Sequence, residues 1–177
     1  MKNTVFIATS LDGYIADKHN KVDWLESIDN PQHDDMGYNA LIDRTDALVM
    51  GRNTFELILS FDIDWPYTVP VYVLSHTLKV VPIGYEDKVV LLQGHPEEVL
   101  KNIHQRGHLN LYIDGGLTIQ QFLQTDLVDE MIITTIPIVL GAGIPLFGQL
   151  SSPLAFKCVE AKQLIGAVSQ SHYLRQR

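Results

Sequence analysis

The chain has 177 residues, 46% apolar and 19% charged, with a formal net charge of −8. That is the profile of one soluble globular domain with room for a real core. The acidic balance, with no offsetting Lys/Arg cluster, speaks against a nucleic-acid surface. The N-terminal apolar run, Val5 to Ala8, is too short for a signal-peptide core and is soon followed by Asp12, so a membrane protein is not expected. Cys158 is the only cysteine. No intrachain disulfide is possible, which suits a reducing cytoplasm, and its strand-like setting reads as a buried, inert thiol.

In chain order, Val5–Thr9 reads as a first strand. The stretch Leu11–Ala16 carries Asp12-Gly13 between apolar residues and is either a hairpin turn or a mobile loop over a ligand. Residues 17–31 are polar and irregular, punctuated by Trp24. A helix is expected over His33–Arg44, with Met36, Ala40 and Leu41 inward and Asp34 and Asp35 in its first turn, where carboxylates suit the dipole. Asp46–Met50 is a buried strand that ends in Gly51-Arg52-Asn53-Thr54 and a helix through Leu59. Val71–Leu74 is the next strand, closing on Ser75-His76, and Lys88–Leu92 the fourth. Pro96 opens a helix in the favoured first-turn position, Glu97 and Glu98 complement its N-terminus, and Gly107 stops it. Because Gly107 interrupts the spacing between His104 and His108, no metal site is read there.

Leu111–Ile113 is a fifth short strand, followed by Asp114-Gly115-Gly116 and a helix over 117–124 with Leu117, Phe122 and Leu123 on one face. Met131–Leu140 then reads as a long strand broken or bulged at Pro137, followed by a loop over Gly141-Ala142-Gly143 and Pro145. Ala155–Leu164 and Val168–Leu174 read as an antiparallel hairpin around Gly166. Alternating strands and helices of this kind give a mixed, mostly parallel sheet flanked by helices, with antiparallel strands at its C-terminal edge. The whole chain, residues 1–177, forms a single domain.

In such sheets ligands sit outside the carboxyl ends of the strands. Parallel strands would gather Ser10-Leu11-Asp12-Gly13, Gly51-Arg52, Ser75-His76 and Asp114-Gly115-Gly116 on one rim. Glycines there permit sharp turns and close approach of an anion, and helix N-termini add free N–H groups and partial positive charge. Arg52 supplies forked cationic donors, Thr54 a hydroxyl, and Ser75-His76 a hydroxyl and an imidazole. Two phosphate nests beside one crevice suit a dinucleotide, although the spacing is neither the G-x-G-x-x-G fingerprint nor a Walker loop.

Taken together, Ser10–Ala16, Met50–Phe55, Val73–Ser75, Asp114–Gly116, Leu127–Glu130 and Pro137 through Leu140–Phe147 resemble the dihydrofolate reductase-like proteins. The branch they resemble is the C-terminal reductase domain of bifunctional riboflavin-biosynthesis proteins. The resemblance implies NADPH along the rim: Arg52, Ser75 and His76 at the 2′-phosphate; Gly51, Thr54, Gly115, Gly116, Leu117 and Thr118 along the pyrophosphate path. Backbone groups of Ala8 and Ile15 would meet the nicotinamide. Asp114 stands where true dihydrofolate reductases carry glycine, and its carboxylate must point away from the pyrophosphate. The family's buried carboxylate falls on Asp35 counting back from Gly51 and on Asp29 counting forward from Trp24; Asp35 is favoured, because a helix-to-strand spacing varies less than a loop.

Trp24 and Thr134 are the remaining substrate candidates, Thr134 as a partner of that carboxylate. A single cysteine cannot build the zinc deaminase that accompanies the riboflavin reductase. The resemblance therefore implies a reductase acting on a pyrimidine- or pterin-like heterocycle or its ribosyl group. It also implies a homodimer built through Ala155–Leu174. The alternatives are a nucleotide-binding protein without turnover and a purely structural homodimer.

Overall fold

A computed structural model describes residues 1–61 and 63–177. An eight-stranded sheet runs through its centre. In chain order the elements begin with β1 (Lys2–Thr9), β2 (Tyr14–Asp17), a 3-10 turn (Asp23–Ser27), α1 (Tyr38–Ile42), β3 (Ala47–Gly51) and α2 (Arg52–Ser60). They continue with β4 (Val71–Leu74), β5 (Val89–Leu92), α3 (Pro96–Gln105), β6 (Asn110–Asp114) and α4 (Gly116–Gln124). The chain closes with β7 (Glu130–Thr135), β8 (Gly143–Pro145), β9 (Phe156–Leu164) and β10 (Val168–Arg175). The sheet order is β5-β4-β3-β6-β1-β7-β10-β9. Every neighbouring pair from β5 to β7 is parallel, whereas β10 runs antiparallel to both β7 and β9. This is the mixed, mostly parallel, dihydrofolate reductase-like sheet expected from the sequence.

The parallel centre is covered on both faces, which is why β3 is an unbroken apolar run rather than an alternating one. Its residues divide by the two-residue period. Ala47 and Val49 join the core packed by α3 and α4, through Val99, Ile103, Ile119 and Phe122. Leu48 and Met50 face Leu41 of α1 and Phe55 of α2. On β6 the same alternation sends Leu111 and Ile113 to the α3/α4 side and Tyr112 to the α1/α2 side. Asp114, two residues beyond Tyr112, follows it.

Three expectations are corrected. The helix over His33–Arg44 shrinks to the five residues of α1, because His33, Met36 and Gly37 adopt positive φ (50°, 54° and 93°) and interrupt right-handed winding. Asp34 and Asp35 reinforce the break by accepting backbone N–H bonds locally; Met36 is half-buried outside the helix and Ala40 is exposed. The strand expected over Met131–Leu140 ends at Thr135, and Gly143–Pro145 instead forms a separate two-stranded ribbon with Tyr14–Asp17. Of the two readings of Leu11–Ala16, that ribbon disfavours a laddered hairpin: Ser10 N–H donates to the Tyr14 carbonyl at 2.9 Å and closes a tight turn, but β2 pairs with β8 and not with β1. Lastly, Cys158 is exposed, because it lies on edge strand β9, whose residues from Lys157 to Gln163 are all exposed. Among the described residues no helix is long and apolar enough to cross a membrane.

Candidate active site

The parallel register brings the expected strand ends together. Met50 is paired with Asp114, so Gly51 and Gly115 follow as neighbours and α2 and α4 start side by side. The two turns interlock. A Cβ on Gly51 would lie 3.0 Å from Thr118 Oγ1, and a Cβ on Gly115, whose φ is +87°, would collide with Thr54 Oγ1. Each glycine thus makes room for the threonine of the opposite helix. Neither helix has a side-chain N-cap bond or an acidic residue in its first turn. By contrast α3, away from this rim, carries Glu97 and Glu98 in its first turn, and Glu98 reaches back to the His95 N–H at 3.4 Å. Two uncapped helix N-termini aimed at one cradle form an environment for a negatively charged group.

Around that cradle, Arg52 is exposed, with its guanidinium 3.4 Å from Glu56 and from the Asn53 side chain. Gly51 is paired with Leu74, so Ser75 and His76 leave β4 beside Arg52. Ser75 is buried, and its Oγ accepts the N–H groups of Thr77 (3.1 Å) and Leu78 (2.8 Å), shaping the turn that presents exposed His76. Thr118 is buried and Leu117 is 67% exposed at the start of α4. The side chains of Ile15 and Ile144 crowd Gly116, where an added Cβ would lie 3.0 and 2.9 Å from them. The β2/β8 ribbon is therefore laid over the N-terminus of α4. Ala8 is paired with Thr134 one strand away, at the same end of the sheet.

The other side of Asp114 has a different chemistry. Its carboxyl is half-buried and accepts one backbone N–H, from Gly115 at 2.8 Å. Burial outweighs that bond and pushes its pKa up to about 6. Tyr38, Tyr67 and Tyr112 lie near enough to feel its charge; burial first, and Asp114 second, raise the pKa of all three. The Tyr112 hydroxyl is engaged with the Phe6 carbonyl at 3.0 Å. A carboxyl titrating near neutrality, ringed by phenols, can hold or release a proton against a bound molecule. Sequence reasoning singled out Asp114 beside the cradle without recognising this role. The signal was the alternation on β6 that sets it beside Tyr112.

The remaining candidates fall elsewhere. Asp35 is exposed, and its two oxygens accept the N–H groups of Gly37 (2.8 Å) and Asn39 (2.9 Å). Those bonds, Asn39 foremost, hold its carboxyl below the usual range, so it serves α1 as a cap and not as a buried acid. Asp29 is exposed as well. Thr134 is buried, but its Oγ accepts from Gln170 Nε2 at 2.9 Å rather than meeting Asp35; the same nitrogen donates to the Met36 carbonyl at 2.8 Å. Trp24 is buried against Ala8, Ile136 and Met36, and its indole N–H has no partner among the described residues.

A mostly parallel sheet of this order, with the N-termini of two helices meeting at its carboxyl rim, defines a dihydrofolate reductase-like α/β protein. The model of the RibD C-terminal domain family matches residues 2–169, and the chain belongs to that family. Among solved structures it is similar to a putative riboflavin biosynthesis protein from Shewanella sp. PV-4, with 54% identity, full coverage of both chains and a TM-score of 0.98. It also resembles a diaminohydroxyphosphoribosylaminopyrimidine deaminase/5-amino-6-(5-phosphoribosylamino)uracil reductase from Thermotoga maritima. There the identity is 16% and the TM-score 0.78, over 99% of this chain and 56% of that one. Dihydrofolate reductase from Enterococcus faecalis, in a complex with NADP(H), shares the fold at 17% identity and a TM-score of 0.63, over 99% of this chain and 97% of that one.

Proposed function

We propose that this protein is an NADPH-dependent reductase of the riboflavin-biosynthesis type. It would deliver hydride to a pyrimidine- or pterin-like compound or to its ribosyl group. The observation that carries this reading is the pairing, across one strand end, of an anion cradle and a half-buried acid: Gly115 closes the cradle between α2 and α4, and Asp114 beside it lies on the tyrosine side. The cradle suits the cofactor because its two helix N-termini lack side-chain caps and first-turn acids, and its glycines let the two turns and their threonines close together around one point. Bound there, the dinucleotide supplies the hydride.

The chain's own residues do the rest. Gly51, Thr54, Gly115, Gly116, Leu117 and Thr118 line the pyrophosphate path, and Arg52 and His76 meet the 2′-phosphate. Ser75 shapes the turn that carries His76. Ala8 and Ile15 offer backbone groups to the nicotinamide. Trp24 backs the substrate side through its packing on Ala8, and Asp114 holds the proton the reduced substrate takes up. Family membership and the Shewanella relative support the riboflavin-pathway class, and the NADP(H) complex of the Enterococcus reductase supports the cofactor. We further propose a cytoplasmic homodimer joined through β9 and β10; sedimentation at micromolar concentration should give twice the 19.9 kDa chain mass, and a lone monomer would rule it out.

Cofactor titration tests the main reading. NADPH should bind more tightly than NADH, and Arg52→Ala should weaken NADPH by roughly tenfold or more, as expected for a lost charge-assisted contact, with NADH barely affected. NADPH oxidation with a pyrimidine or pterin acceptor should require Asp114. Equal wild-type affinity for the two cofactors would reject the assignment. Tight NADPH binding without oxidation of any acceptor would leave a nucleotide-binding protein.

A further inference from the structure

One cation at the rim has no part in the reading above. Lys79 sits at the end of the turn that Ser75 organises, and its ammonium folds back to donate to the His76 carbonyl at 2.6 Å. The turn is fixed by the two backbone bonds to Ser75 Oγ. Its position is fixed by β4, whose Leu74 is paired with Gly51, the residue before Arg52. Arg52 and the turn that carries Lys79 thus leave the ends of two adjacent, paired strands on the same rim. The carboxylate that contacts Arg52 there, Glu56, is 3.4 Å away and half exposed, a weak tie that a better anion displaces.

A phosphomonoester carries close to two negative charges at neutral pH, and Arg52 alone balances one. The His76 carbonyl uses one of the three ammonium donors of Lys79 and leaves two. We propose that Lys79 is the second permanent cation of the 2′-phosphate subsite, and so a residue that selects the phosphorylated over the unphosphorylated dinucleotide. The proposal rests on the dinucleotide reading of the cradle. In it, the Ser75 turn has two functions: it presents His76 and it aims Lys79.

Calorimetric titration of the wild type, Lys79→Met, Lys79→Gln and Lys79→Arg with NADPH, NADH and adenosine 2′,5′-bisphosphate tests it. Lys79→Met should weaken NADPH and the bisphosphate by about tenfold, the scale of one charge-assisted contact, and leave NADH within about twofold. Lys79→Gln can still donate to the His76 carbonyl but lacks the charge, so it should lose as much as Lys79→Met, while Lys79→Arg should retain most of the affinity. The salt dependence of NADPH binding should be shallower in both neutral variants. Wild-type-like NADPH affinity in Lys79→Met would overturn the assignment alone, with the dinucleotide reading intact. Full affinity in Lys79→Gln would reduce Lys79 to a prop for the turn. A wild type that binds neither NADPH nor the bisphosphate would overturn both.

Discussion

The carboxylate of Asp12 accepts the backbone N–H of Gly141, 129 positions later in the chain, at 2.7 Å. The same carboxylate accepts from Leu140 N–H (3.1 Å) and Ser10 Oγ (2.6 Å), and the Ser10 bond is the main cause of its lowered pKa. Leu11 N–H donates to the Ile138 carbonyl and Leu146 N–H to the Gly13 carbonyl. With the β2/β8 pairing, these bonds tie residues 10–17 and 138–146 into one flap over the start of α4.

Breaking that tie should loosen both segments together. Asp12→Ala is expected to speed amide exchange at Leu140 and Gly141 as well as across 11–16, and to weaken NADPH binding, with little change in the denaturation midpoint. Saturating the wild type with NADPH should slow exchange over 11–16 and leave α3 unchanged, because lids come from the less stable parts of a fold. Unaltered exchange at 140 and 141 in the variant would show that the two segments move independently.

Gly115→Ala faces two separable penalties, a strained positive φ and a collision with Thr54 Oγ1. The single variant should lose at least the roughly 1–3 kcal/mol typical of a strained backbone site. Adding Thr54→Ala removes the hydroxyl, so the double variant should recover part of the loss and keep the share due to φ. Urea midpoints of the two singles and the double form the cycle. Strict additivity would mean that the two turns do not interlock.

Asp114 makes the protein less stable as pH rises. Its folded pKa, about 6, exceeds the ordinary 3.8, so the folded state binds the extra proton between those values and stability falls across that interval. Asp114→Asn should therefore stabilise the protein above about pH 6, by up to roughly 2–3 kcal/mol, and make little difference below pH 4. Chemical denaturation at pH 4, 5.5 and 7.5 measures this, and a benefit that does not grow with pH would contradict the buried-acid assignment.

Glu130 behaves in the opposite sense. It lies at the other end of the sheet, 2% exposed, between Arg44 (2.7 Å), Thr4 (2.8 Å), His172 (2.5 Å) and Lys2 (3.3 Å). Burial acts to raise its pKa, but the Arg44 and Thr4 bonds and the two cations prevail and lower it to about 2. The stabilisation is complete above the ordinary value of 4.5 and is lost as pH falls toward 2. Glu130→Gln should cost on the order of 3 kcal/mol at pH 7, and the gap to wild type should close between pH 4.5 and 2.

The sequence by itself determined the sheet class and the rim. Ala47–Met50, Val71–Leu74 and Leu111–Ile113 are apolar on every residue, a pattern that requires cover on both faces, and each is followed by turn residues that open a helix or a loop. Parallel strands then force those turns onto one edge, so the meeting of Gly51, Ser75 and Gly115 needed no coordinates. Tertiary structure alone decided what depends on partners distant in the chain. The 10–17 segment pairs with 138–146 through Asp12, and local pattern around Asp12-Gly13 fits a hairpin equally well. Asp35 was set by left-handed turns at Met36 and Gly37 that only packing and local capping select. Asp114 becomes the acid with a raised pKa because Tyr38, Tyr67 and Tyr112 arrive near it from three separate stretches and it is partly desolvated there, and no spacing along the chain encodes that surrounding.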